Sequence, residues 1–104
     1  MIYYNKLVRD RIPEIIEKEG KSFLFRKLYF DREYETALKE KLLEECNEYF
    51  DSENVEELVD IAEVILALLK VKGIILDEFE SMRLAKNIEK GSFDNQIFLV
   101  CAEE

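Results

Sequence analysis

KLLEECNEYFDSENVEELVDIAEVILALL, residues 41–69, carries two helical patterns separated by a short polar break. Residues three, four and seven apart share a helix face. On the first segment this rule places Leu38, Leu42, Glu45 and Tyr49 in one stripe, and on the second it groups Glu57, Ile61, Val64 and Leu68. Glu45 and Glu57 thus occupy positions that their neighbours mark as inward-facing. Glu48 and Asp60 follow one turn along, at the edges of the same stripes, and Asp60 interrupts the apolar run LVDIAEVILALL. A break this short folds two helices back on each other as an antiparallel hairpin. With the turn centred near Ser52 and Glu53, a single register sets Glu48 opposite Glu57 and Glu45 opposite Asp60, so the carboxylates converge on one patch.

Such a patch needs compensation. Two like charges ~6 Å apart repel by roughly 3 kcal/mol at an effective dielectric of about 20, and a domain is stable by only about 5–15 kcal/mol in total. Raised carboxyl pKa values are one form of relief. A hard divalent cation is the other: Mg²⁺ takes oxygen ligands, keeps several waters and commonly bridges to phosphates. Structural explanations compete with this one. Glu57 stands three residues after Asn54, the spacing of a capping box, and acids in a first helical turn such as Glu56 and Glu57 suit the helix dipole. Neither accounts for Asp60. Glu44, Glu56 and Glu63 fall on the outer faces and read as solvated charges.

The rest of the composition narrows the choice. At 104 residues, nearly half of them hydrophobic, the chain reads as one folded domain, residues 1–104. Its net charge of −9 repels nucleic acid and anionic membrane, which argues against both as partners. The absence of histidine excludes a His-ligated metal and a His-based triad. Cys46 and Cys101 form no CxxC or zinc pattern, and Cys46, among Leu42, Leu43 and Phe50, reads as a reduced core thiol. The longest apolar run, VILALL, is far short of a membrane span, and MIYYNKLVRDRIP lacks the apolar core of a signal peptide, which points to the cytoplasm.

Outside the hairpin, Pro13 suits the first turn of a short helix reaching Glu19 and stopped by Gly20. Residues 22–30, SFLFRKLYF, have strand composition, and NQIFLVC near the end offers a partner, giving a small two-stranded sheet. Helical periodicity runs from Asp31, as N-cap, to Phe50, and from Asn54 to Lys72 with Gly73 as stop. A last helix covers residues 77–90 before Gly91. The predicted fold is all-α: a helical hairpin forming a four-helix-type bundle, completed by dimerisation, beside the small sheet.

EECNE followed by ELVD resembles the ExxE…ExxD signature of the all-α nucleoside triphosphate pyrophosphohydrolases, the group that includes MazG and phosphoribosyl-ATP pyrophosphohydrolase. YNKLVRDRIPEII resembles the opening of a short phage- and prokaryote-type branch, and RLAKNIEKGSF resembles its R…K…RGGF segment, with KGSF in place of RGGF. The resemblance implies Mg²⁺-dependent cleavage between the α and β phosphates of a nucleotide, giving a monophosphate and pyrophosphate, in some cases as a house-cleaning activity. It implies Glu45, Glu48, Glu57 and Asp60 as metal ligands and catalytic groups, and a homodimer or higher homo-oligomer with sites at or near the junction. Mn²⁺ is a natural substitute for Mg²⁺. Basic residues must meet the phosphates: candidates are Lys6, Arg9 and Arg11 from the opening segment, and Arg83, Lys86 and Lys90 from the last helix. The loss of an arginine and a glycine in KGSF leaves two other functions open. One is a nucleotide- or metal-binding protein without turnover; the other is a dimeric interaction module. Base and sugar preference is not encoded in any spacing. Tyr3, Tyr4, Tyr29 and Phe93 fit core packing better than base stacking.

Overall fold

The computed structural model describes all 104 residues, Met1–Glu104. It contains α1 (Ile12–Lys18), α2 (Asp31–Ser52), α3 (Val55–Val71) and α4 (Leu76–Lys90), and no strand. The all-α class is as expected. Two compact units make up the chain, Met1–Gly73 and Ile74–Glu104.

In the first unit, Pro13 sits at the start of α1, where its missing N–H costs nothing. Helix α2 begins one residue earlier in its capping frame than expected. Phe30, in extended conformation, is the N-cap, and Asp31 falls inside the first turn with Glu33, where both suit the dipole. At the other end Glu53 adopts a left-handed conformation (φ 57°) and donates its N–H to the Tyr49 carbonyl at 2.8 Å. Asn54 then caps α3, accepting the Glu56 N–H through Oδ1 at 3.0 Å. The whole reversal takes two residues, so α2 and α3 return as an antiparallel hairpin and are the only two helices in contact. Leu38 and Val64 are the buried hydrophobic core, 2% and 7% exposed. Lys72 Nζ to Glu35 Oε1, 2.7 Å, ties the ends of the hairpin far from its turn.

The second unit holds α4 and the tail that follows it. Gly91, at φ 86°, closes α4 and donates its N–H to the Asn87 carbonyl. No residue of α4 is buried.

Three expectations need correction. The two-stranded sheet is absent: no backbone hydrogen bond reaches residues 22–29 or 97–104. An isolated pair of strands is marginal, and these two segments belong to different units. Tyr3, Tyr4, Tyr29 and Phe93 are all exposed rather than packed in a core. Cys46 is a free thiol as expected, but half-buried. No helix is long and apolar enough to cross a membrane.

The turn carries two opposite stability effects. Removing the cap by Asn54→Ala should cost about 1 kcal/mol, whereas Glu53→Gly, which relieves a left-handed non-glycine residue, should stabilise by roughly 0.5–1 kcal/mol. Urea midpoints of the two variants check both signs; equal shifts in one direction would contradict this turn geometry.

Candidate metal centre

Helix α2 delivers Glu45 on the same face as Leu38 and Leu42, so packing against α3 buries it: the residue is 6% exposed. Glu57 and Asp60 approach from the first two turns of α3, both half-buried. Carboxylate oxygens of Glu45, Glu57 and Asp60 lie within 4.8 Å of one another, and so do those of Glu44, Glu45 and Glu48. Glu45 belongs to both groups. The structure therefore joins Glu45 to Asp60 across the hairpin, as the register requires, while Glu48 gathers with its own helix neighbours and is exposed.

The capping explanation for Glu57 fails on geometry. In a capping box its carboxylate would reach back to the Asn54 N–H. That N–H instead donates to Ser52 Oγ at 3.1 Å, and Asn54 Oδ1 takes the Glu56 N–H. The Glu57 carboxylate is left to face Glu45 and Asp60.

Cations of the chain meet part of this charge. Lys41, itself largely buried, reaches Glu44 Oε2 and Glu45 Oε1, each at 3.2 Å. From the opening segment, Lys6 Nζ donates to Glu44 Oε1 at 2.5 Å and Arg9 to Asp60 Oδ1 at 2.6 Å. Glu45 Oε2 remains buried without any partner. An orphaned buried oxygen is costly unless something completes it. Burial pushes the Glu45 carboxyl above its ordinary range; Lys41 opposes this and the nearby Glu48 charge adds to it. Glu44 behaves differently: desolvation raises it, but hydrogen bonds from Lys6 and Lys41 prevail and hold it low. The Glu44 bond in turn raises Lys6.

The expectation of Glu44 as a solvated outer charge is not met, and Lys41 is a further member of the cluster that the expected site residues did not include. The signal for both was present: Lys41 precedes Glu44 by three residues and Glu45 by four, the spacings at which helix side chains meet. Glu56 and Glu63 are exposed as expected. Lys6 and Arg9, the candidates for phosphate contacts, both reach acids of the cluster. Arg11 pairs with Glu14. In the second unit Arg83 donates to Glu80 on its own helix, and Arg83, Lys86, Lys90 and Phe93 line a cavity of about 400 Å³.

The donor set fits a hard cation. Every side chain in the Glu45–Glu57–Asp60 group offers carboxylate oxygen, the chemistry suited to Mg²⁺ or Mn²⁺, and the unpartnered Glu45 Oε2 is the oxygen a cation would complete. No family model matches the chain, and no curated protein or solved structure matches it either.

Because the folded pKa of Glu45 lies above its unfolded value, the folded chain binds that proton more tightly. Stability is therefore lost as pH rises from the ordinary carboxylate range through the raised value. Glu45→Gln is neutral at every pH. In chelator, its melting temperature should exceed the parent's at pH 7, with the gap closing as pH falls below the ordinary carboxylate range. A parent that is the more stable of the two at pH 7 would contradict the burial of a charged Glu45.

Proposed function

We propose that the chain is a Mg²⁺-dependent nucleotide pyrophosphohydrolase that splits the α–β phosphate bond of a nucleoside triphosphate or related nucleotide. One observation carries this reading: a nine-tenths-buried glutamate with an unpartnered oxygen stands within 4.8 Å of two further carboxylates from the facing helix. A purely structural hairpin gains nothing from that arrangement, since apolar residues would pack there without the desolvation cost. The likeness of the two acidic helices and both flanking segments to the all-α pyrophosphohydrolases supports the same reading.

Glu45, Glu57 and Asp60 would hold the cation, with Glu48 and Glu44 beside Glu45. Bound Mg²⁺ supplies positive charge against the phosphates and makes a nearby water more acidic. In the reaction a new bond forms between the water oxygen and the α phosphorus, and the bond from that phosphorus to the bridging oxygen breaks. Pyrophosphate leaves with the electron pair. Glu48, exposed and free of any ion pair, takes the water's proton. Lys6 and Arg9, which pair with Glu44 and Asp60 in the chain alone, would be free to meet phosphate oxygens once those carboxylates hold a cation. Leu43, Phe50, Val55, Leu58 and Val59 leave the hairpin with exposed apolar surface. A second copy covering it would complete a four-helix bundle in a cytoplasmic homodimer.

A second reading, a nucleotide- or metal-binding protein without turnover, has one observation in its favour: Lys6, Arg9 and Lys41 already neutralise part of the cluster. Incubation with a nucleotide panel and Mg²⁺, followed by assay of pyrophosphate, separates the two. Turnover is expected, and Asp60→Asn should lower it by more than about 100-fold. Mg²⁺ or Mn²⁺ at about 100 times its Kd should stabilise the parent by about 2.7 kcal/mol, an effect lost in Asp60→Asn. Stabilisation without turnover favours the binding protein. Full activity in Asp60→Asn defeats both.

A further inference from the structure

The opening segment, residues 1–10, forms no helix or strand, and residues 1–8 make no backbone hydrogen bond. Within it only Leu7 is half-buried; the rest is exposed. Polar contact with the helical hairpin comes from two side chains. Lys6 reaches Glu44 on α2 and Arg9 reaches Asp60 on α3, so the segment bridges both helices of the hairpin.

Those two contacts divide the acidic cluster between them. Glu44 belongs to the Glu44–Glu45–Glu48 group and Asp60 to the Glu45–Glu57–Asp60 group, each with carboxylate oxygens within 4.8 Å of one another. One cation of the segment therefore sits on each group. Neither meets the oxygen in greatest need, since Glu45 Oε2 is buried and bonded to nothing. A side-chain cation on a tether stops at the rim, whereas a small ion can enter further. Both pairs are also weakly held: the Lys6 and Arg9 side chains are 40% and 52% exposed, and ion pairs this open to water contribute little. A divalent ion that completes Glu45 Oε2 and takes Asp60 would set two positive charges on one carboxylate. Their repulsion falls on the singly charged, tethered partner.

We propose that the opening segment is a self-inhibitory strap: Lys6 and Arg9 compete with a divalent cation for the acidic cluster, and cation binding releases the segment. The strap thereby sets the cation concentration at which the site fills. It also couples cation to phosphate, because the released ammonium and guanidinium gain a new partner only when a phosphate group is present. The strap presupposes a metal centre at the cluster, but not turnover.

Mn²⁺ affinity, measured by calorimetry without nucleotide, tests the competition. The double variant Lys6→Gln/Arg9→Gln should bind Mn²⁺ about tenfold more tightly than the parent, roughly threefold for each lost pair. Arg11 belongs to the same stretch of chain but pairs with Glu14, so Arg11→Gln removes a charge without removing a competitor and should stay within about twofold of the parent. Release is read by trypsin. Mg²⁺ should speed cleavage of the Lys6–Leu7 bond in the parent at least about threefold while raising its melting temperature, a fold stabilised as a whole and loosened at one end. Equal or weaker Mn²⁺ binding by the double variant overturns the strap and leaves the metal centre standing. So does an Arg11→Gln chain that tightens as much as the double variant, or cleavage after Lys6 that Mg²⁺ leaves unchanged or slows. Mn²⁺ binding by none of the chains removes the metal centre as well.

Discussion

One carboxylate governs this structure. Glu45 is carried into the α2–α3 seam by the same periodicity that buries Leu38, and once there it has one oxygen on Lys41 and the other on nothing. The hairpin's short turn allows little freedom to escape: Glu53 and Asn54 fix the reversal, and the register brings Asp60 and Glu57 against the buried group. A helix pair that wanted only stability would have placed leucine at this position. The sequence instead accepts the desolvation of an acid and the repulsion of its neighbours. That cost is the strongest physical sign that something positively charged belongs there.

The chain meets part of the demand from within. Lys6 and Arg9 reach Glu44 and Asp60 from a segment that makes no regular structure of its own. Both contacts are at least partly exposed, where ion pairs contribute little net stability. Cations held this loosely can give way to a divalent ion, whereas Lys41, largely covered on α2 and paired with both Glu44 and Glu45, is part of the frame. Five carboxylates, Glu44, Glu45, Glu48, Glu57 and Asp60, stand against those three cations, so the site keeps a negative excess.

Much of this was legible in the sequence, for identifiable reasons. Helix periodicity is local, so the four helices emerged with ends displaced by only a residue or two. Asn54 announced its cap because capping chemistry is a short-range signal. The convergence of Glu45 with Asp60 followed from turn length alone. What failed depended on distant partners. Glu44 has a local partner in Lys41, one turn earlier, but no local signal announces its second partner, Lys6, 38 residues away. The sheet was expected within one chain because strand composition says what a segment can pair with, not where the partner lies. Tyr3, Tyr4 and Tyr29 read as core for the same reason: hydrophobicity signals that a surface is to be covered without saying by what.

The most direct measurement is anomalous diffraction from crystals of the full chain equilibrated with Mn²⁺ and a nonhydrolysable nucleotide. A manganese peak coordinated by Glu45 Oε2 together with Glu57 and Asp60, with Lys6 and Arg9 turned away from the acids, is the expected result. A cluster that keeps its Lys6 and Arg9 contacts and shows no anomalous peak at saturating Mn²⁺ would contradict the proposed metal centre, and with it the proposed function.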